Sequence, residues 1–500
     1  MAREFVPSPQ QAHFFDWVRN GSGSALLTAV AGAGKTTTLV ESLALTRGNV
    51  TFTAFNKAIS NEIEAKVAAK GGDLAQRVRC KTFHALGFGA LGRARPIFRE
   101  NGRLNVEGRK AALVEACGTP EEAATCAFNL FDLARQRAYD PAFVDASSFA
   151  GIVEHYGLEE AIEETGYNQE DMQAFAHALL VEGAKFETPH IDFTDMIWGP
   201  LVLNLRPWAT EWIYVDEAQD TNPARRELAR LLVRRNGRAV FVGDSRQAIY
   251  GFTGADNNAM EIIRDDFGAV EMPLTVSYRC PRAVVAHAHN WVSHIEAHET
   301  APEGVVRSLP GPHAIVAEAR KGDAVLCRNT APIVQLAFAL IRAGKRAHVE
   351  GRDIGRGLAA LTKKWKGYEN NLEGFLAKLD EWKEQQMEML IERNRALAAQ
   401  TVEDKAQTLH VLAETCETLS ELREKISSIF DDTQPDEAPN RITLATIHRS
   451  KGREWKRVYW LGHNTLCPSK FARQPWEREQ ETNLQYVATT RAQEELVLVN

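Results

Sequence analysis

Residues 24–39 read SALLTAVAGAGKTTTL. The apolar run Ala25–Val30 has the composition of a buried strand. It breaks into a loop carrying Gly32 and Gly34, and Gly34-Lys35-Thr36 then opens a helix. Strand, glycine loop and helix in that order form a phosphate cradle. Gly32 and Gly34, with Ala33 between them, let backbone N–H groups close on a β-phosphate, and the helix N-terminus adds the positive end of its dipole. Lys35 is expected to neutralise the β/γ-phosphates, and the Thr36 hydroxyl to ligate Mg²⁺. Ala29 stands where the pattern usually has its first glycine, so the loop is a variant form.

Five hundred residues exceed a single core, so two to four domains are expected. No apolar run reaches the roughly 18 residues that span a bilayer, so no membrane partner is expected. The opening MAREFVPSPQQ lacks the apolar core of a signal peptide. The expected location is therefore cytoplasmic, or nuclear in a eukaryote, and not secreted. Seven scattered cysteines, never spaced as CxxC, argue against a structural zinc, an iron–sulfur cluster or a disulfide framework and for buried thiols. The net charge of −7 hides two opposed stretches. Residues 77–110 hold nine Lys/Arg against two Asp/Glu, whereas residues 363–437 hold ten against seventeen. Local fields, not totals, decide where phosphate binds.

From the cradle outward, residues 1–90 alternate strand and helix, with apolar runs at Val50–Phe55 and Val78–Cys80. Such alternation predicts a parallel sheet covered on both faces, an α/β fold. Residues 91–189 turn helical and read as an insertion. Strand runs return at Ile213–Val215 and Ala239–Val242, then at Leu274–Val276, Ala324–Cys327 and Arg346–Val349. A second helical insertion spans 359–439, and the last strands are expected at Arg441–Thr446, Arg457–Leu461 and Leu496–Val499. The acidic insertion is expected to build a small core of its own and to act as a mobile subdomain that does not grip phosphate.

The run Ile213–Val215 delivers Asp216-Glu217 to a strand end, where ligands of parallel sheets gather. Asp216 is expected to hold Mg²⁺ through water, while Glu217 orients and deprotonates the attacking water. Together with VGDSRQAIYGFTGAD, SYR, TIHRSKGREW and YVATTRA, the motif VDEAQD resembles, in order, motifs II to VI of superfamily 1 helicases of the UvrD/Rep/PcrA type. KTFHALG matches their single-strand contact motif. TAFNKAI and KTFHALG are similar to the compact F-box DNA helicase branch, and the match runs from residue 10 to residue 499.

The resemblance implies two RecA-like modules with two helical insertions: 1–90 with 190–275, and 276–358 with 440–500, carrying insertions 91–189 and 359–439. It implies an ATP-dependent 3′→5′ translocase on single-stranded DNA that unwinds duplex. Two alternatives are an enzyme that strips proteins from DNA with little unwinding and a nucleotide-gated DNA-binding scaffold. By the same resemblance Gln10 reads adenine (Gln11 is the fallback) and Tyr278 stacks on it. Gln247 senses the γ-phosphate, Arg279 and Arg491 act as arginine fingers, and Glu454 touches the nucleotide. Thr37 takes the place of an arginine usual after GKT, and Thr253 that of another beside the motif III aromatic. Implied DNA contacts are Phe55, Asn56, Thr82, Phe83, His84, Tyr250, Phe252, Arg328 and His448, with the basic stretch 77–110 tracking DNA. Expected partners are single-stranded DNA and the single-strand/duplex junction, with a protein partner at the acidic insertion; a monomer is expected.

Overall fold

In a computed structural model that describes residues 5–54, 57–249, 258–392, 396–430 and 440–500, the chain divides into two compact units. One comprises the residues up to Ala29 and Gly34–Leu274; the other comprises Val30–Ala33 and Thr275–Asn500.

The first unit is built on β1 (Ala25–Ala29), β2 (Val50–Ala54), β3 (Val78–Thr82), β4 (Thr210–Val215), β5 (Val233–Gly243) and β6 (Val270–Leu274), in the order β3-β2-β4-β5-β1-β6 and parallel throughout. Leu27 of β1 stands between Val242 and Met272 of its neighbours, which explains why β1 is apolar on both faces. Parallel pairing also puts the C-terminal ends of β1, β5 and β4 side by side. The residues that follow those three ends are therefore brought together.

Helix Pro9–Asn20 opens on a capping box, in which Ser8 Oγ accepts from Gln11 N and Gln11 Oε1 accepts from Ser8 N. Pro9 sits at the first helical position, where its missing N–H costs nothing, so Gln10 and Gln11 lie inside the helix and not before it. Helices Phe83–Ala94, Val106–Cys117, Glu121–Gln136, Gln169–Lys185 and Phe193–Val202 fill the stretch between β3 and β4. They enclose a core of their own around Phe131, Phe149, Leu179 and Trp198. A buried ion-pair network runs through it: Arg135 pairs with Asp192 and Asp195 at 2.7 Å each, and Arg109 with Asp195 at 2.8 Å. Arg109 belongs to the basic stretch 77–110, and so does Arg77, which donates to Thr46 Oγ1, Gly48 O and Leu43 O. These two charges hold the fold together and are not displayed to a polyanion.

The second unit carries β7 (Val276–Ser277) paired with β8 (Glu296–Ala297), and a six-stranded parallel sheet. Its strands are β9 (Val305–Leu309), β10 (Ala324–Cys327), β11 (Ala347–Val349), β12 (Ile442–Thr446), β13 (Trp455–Leu461) and β14 (Ala492–Val499), in the order β11-β12-β10-β13-β14-β9. The expected strand 274–276 is split: β6 ends at Leu274 and β7 starts at Val276. Of β6 only Leu274 fell within an expected strand, and β9 was not expected. Each is an edge strand, with Glu271 and Pro273 on one and Arg307 and Ser308 on the other, where proline and charge are tolerated.

The acidic insertion departs from expectation. Leu372, Phe375, Leu379, Leu409, Leu412, Leu422, Ile426 and Phe430 form one continuous cluster with Val325, Val334, Leu340 and Leu444 of the sheet and its covering helix. The reason is that helix Ala396–Ala413 packs along helix Thr330–Arg342. Polar ties reinforce the packing. The Asp404 carboxylate accepts from Thr330 N (2.8 Å) and Ala331 N (2.9 Å), capping that helix from the insertion. Ser469 Oγ donates to Gln400 Oε1 at 2.6 Å. Among the described residues, the insertion's buried side chains belong to this shared cluster.

Candidate nucleotide and nucleic-acid site

In the loop after β1, Gly32 and Gly34 both adopt φ of +73°. That left-handed backbone favours glycine and turns the chain sharply into helix Lys35–Leu43. Lys35 follows the turn, and its Nζ lies 2.9 Å from Glu217 Oε1. Burial works against the Lys35 charge, but Glu217, Asp216 and Asp244 outweigh it and hold the ammonium above its ordinary range. One lysine is thus faced by three carboxylates, from the ends of β4 and β5.

Glu217 is held in a left-handed conformation, φ 53° and ψ 44°. For a residue with a side chain this costs about 1–3 kcal/mol. Its backbone N–H donates to Asp216 Oδ1 at 2.9 Å. Gln219 then links the acidic groups: its Nε2 donates to Glu217 Oε2, while its Oε1 accepts from Asp244 N at 3.0 Å. Asp244 in turn accepts from Gln247 Nε2 at 2.7 Å. The chain Lys35–Glu217–Gln219–Asp244–Gln247 ties the glycine loop's lysine to Gln247. Gln219 and Asp244 lie within the quoted motifs, but the sequence assigned them no role; their signal was a polar side chain directly after an apolar strand.

Burial, followed by the charge of Glu217, pushes the Asp216 carboxyl up to about 6, against the pull of Lys35 and a hydrogen bond from Thr36. A buried carboxyl beside a threonine hydroxyl, reluctant to ionise without a further cation, suits Mg²⁺. That ion takes few protein ligands and completes its shell with water and phosphate.

Gln11 Nε2 donates to Thr38 Oγ1 at 2.8 Å, and the side chain is fully engaged in cap and core. Gln10 is half-buried beside it. Thr37 is exposed.

At the end of β3 the Thr82 hydroxyl caps helix Phe83–Ala94 by accepting from Ala85 N at 3.2 Å. Phe83 points inward, into the core with Ile197, Ile213 and Leu228. It is buried, and it lines a small cavity together with His84. His84 is half-buried with its ring edge-on to Phe193, 6.1 Å away. Phe193 is 55% exposed and was missed by the sequence reading. Burial, and secondarily Arg225, lowers His84 to about 4, so the imidazole is neutral near pH 7. His84, Asp216, Glu217, Asp220 and Arg225 share one small cavity, which joins the strand-contact motif to the acidic pair. Phe55, Asn56, Tyr250, Phe252 and Thr253 lie outside the described residues.

In the second unit Arg491 is 1% exposed. Its Nε donates to Val487 O (3.0 Å) and its Nη1 to Arg453 O (3.3 Å). Arg279 pairs with Glu454, which also accepts from Gln493 Nε2 at 2.8 Å. Tyr278 is 45% exposed, with its ring 4.8 Å from that of His298. Arg328, at the end of β10, pairs with the buried Glu481 at 2.8 Å. His448, after β12, is lowered to about 3 by burial and then by Arg328. Arg328 and His448 therefore neighbour each other at the C-terminal edge of the second sheet.

The chain matches the UvrD/REP helicase N-terminal domain over residues 12–268 and the UvrD-like helicase C-terminal domain over residues 147–500. It is 26% identical over 308 residues to the ATP-dependent DNA helicase PcrA of Staphylococcus epidermidis, a match covering 58% of this chain and 40% of that protein. It is 26% identical over 527 residues to F-box DNA helicase protein 1 of Schizosaccharomyces pombe, covering 94% of this chain and 55% of the relative. PcrA of Leuconostoc citreum is 25% identical over 309 residues, 55% of this chain and 38% of that one. The chain thus spans about half the length of these relatives, or less. With the strand-ordered motifs and the cradle geometry in place, the chain belongs to the UvrD/REP helicase family.

Proposed function

We propose that this protein is an ATP-dependent DNA helicase that translocates 3′→5′ on single-stranded DNA and separates duplex ahead of it. The observation that carries the reading is the linked set Lys35, Glu217, Gln219, Asp244 and Gln247 at the edge of one parallel sheet, in a chain of helicase family. Lys35 would exchange its Glu217 contact for the β/γ-phosphates. Glu217, released, would accept the proton of the attacking water. Gln247, oriented by Asp244, would report the γ-phosphate to the rest of the sheet edge. Thr36 and Asp216 would hold Mg²⁺, which supplies charge neutralisation when bound. Gln10 and Tyr278 would contact the adenine, and Arg279, Arg491 and Glu454 would serve the phosphates from the second unit's sequence motifs.

The reading extends to two RecA-like modules, each with a helical insertion, at the boundaries given above, to a monomer acting at single-strand/duplex junctions, and to the acidic insertion as a docking surface for a protein partner. Among the described residues no helix is long and apolar enough to cross a membrane, and the proposed location is the cytoplasm or nucleus. Unwinding of duplexes bearing a 3′ or a 5′ single-stranded tail tests activity and polarity together. Separation of only the 5′-tailed substrate would reverse the polarity, and separation of neither, with DNA-stimulated hydrolysis intact, would reject the helicase reading.

A further inference from the structure

At the N-terminal edge of the first sheet, opposite the edge that carries Lys35 and Glu217, an exposed tryptophan stands among arginines. Trp208, just before β4, is 59% exposed, and the Arg79 guanidinium lies over its ring at 5.0 Å from the centroid. Pro207, the preceding residue, is buried, while Arg206 before it is exposed. Thr210 is opposite Val233 but Trp212 is opposite Arg238, so β5 carries extra residues at this point. Those residues include Arg234 and Arg235. Arg234 Nε donates to Ala209 O at 3.3 Å, next to Trp208. Arg47, whose carbonyl accepts from Trp212 Nε1 at 3.0 Å, borders the same edge. The carboxylate here, Glu211, is already occupied by Asn49 N at 2.8 Å and by Arg234. Among the described residues, Arg47, Arg79, Arg206 and Arg235 have no carboxylate within ion-pair distance.

An indole with one face open and a guanidinium on the other is a stacking platform, and uncompensated guanidiniums beside it are phosphate donors. The charge is complementary to a polyanion, and the aromatic platform selects one whose repeating unit has a π-face. An acidic peptide would use the charges and leave the indole idle. We propose that this edge is a second binding site for single-stranded nucleic acid, with a base on Trp208 and phosphates on Arg47, Arg79, Arg206 and Arg235. It is distinct from the strand-contact motif, which lies at the other end of the same strands. The site shares only its ligand class with the helicase reading, and the two fail differently.

The test is titration of the full-length protein with an oligothymidylate of about ten nucleotides, within the usual site sizes. Binding is followed by stoichiometry and by the tryptophan fluorescence lost in Trp208→Phe. The wild type should bind two equivalents, and Trp208→Ala/Arg206→Ala/Arg235→Ala one. The second equivalent should weaken about ten- to a hundredfold on loss of the stacked base. Its salt slope should fall by about 0.7 for each phosphate contact removed. DNA-stimulated ATP hydrolysis should be unchanged in the triple variant. Trp208→Phe, which keeps a π-face, should retain two equivalents. One equivalent in both wild type and triple variant overturns this inference while leaving the helicase reading standing. No binding and no stimulation in the wild type overturns the helicase reading. Polyglutamate displacing the second oligonucleotide and perturbing the Trp208 signal more strongly than it does would assign the edge to acidic protein, and the proposal would fall.

Discussion

Excising residues 359–439 and bridging the gap with a short Gly/Ser linker should collapse the second unit. The sequence alone suggested the opposite, a subdomain with a small core of its own that could be removed without harm to the rest. The structure reverses this because the insertion's buried side chains share one cluster with the sheet and with helix Thr330–Arg342. Each Leu- or Phe-sized side chain that loses its cover forfeits about 1.5–3 kcal/mol. If only three such side chains on that helix are uncovered, the loss is about 5–9 kcal/mol, against a net stability of about 5–15 kcal/mol for a whole domain. Removing Asp404 adds about 1–2 kcal/mol by uncapping Thr330 and Ala331. The assay is chemical denaturation with limited proteolysis, read beside DNA-stimulated hydrolysis. Asp404→Ala provides the graded control, with a shift of about 1–2 kcal/mol. A deletion variant that unfolds cooperatively at the wild-type midpoint, resists proteolysis and keeps its hydrolysis would refute the shared-core argument.

Other expectations are narrower. Lys35→Ala should abolish ATP turnover while DNA binding persists; near-normal steady-state hydrolysis would remove the cradle assignment. Glu217→Gln should retain Mg·ATP binding and lower turnover by about 10²–10⁴-fold, which single-turnover measurements separate from a binding defect. Arg491→Ala should slow hydrolysis by about 10³-fold or more and also lower the melting temperature, since its guanidinium satisfies two backbone carbonyls in the core; normal hydrolysis at saturating DNA would exclude the finger role. His448 is neutral when folded down to about pH 3 but ordinarily protonates near 6.5. The unfolded chain therefore takes up the proton first as pH falls, so stability is full above about 6.5 and declines towards 3. His448→Gln should flatten that part of a pH series of denaturation midpoints, and an unchanged profile would show that the ring is solvated.

Much of the site was legible because its chemistry follows apolar strands directly. Asp216 and Glu217 follow directly on an apolar strand, and Lys35 and Gln247 lie within a short loop of one. What the sequence could not show was which polar residues link them. Gln219 and Asp244 became visible only when β4 and β5 were found side by side. The edge strands β6 and β9 were missed for a related reason: half-exposed strands have no need of continuous hydrophobicity, and Pro273 and Arg307 disguise them. Phe83 shows the converse. A motif position implied as a DNA contact lies in the core because the first turn of its helix carries the ring inward. The acidic insertion misled through its charge, since a count of carboxylates says nothing of the leucines packed among them.

The contact between Lys35 and Glu217 has a consequence for restraint. A base that is already accepting from a lysine is a poor base, because the shared proton donor occupies the lone pair that would draw on water. In the proposed mechanism the Lys35–Glu217 pair would therefore hold the base back. A phosphate that drew the ammonium away would at the same time leave the carboxylate free, so arming would be contingent on loading. The cost is a weaker hold on nucleotide, because part of each phosphate contact is spent in undoing a contact 2.9 Å long that the protein had already made with itself.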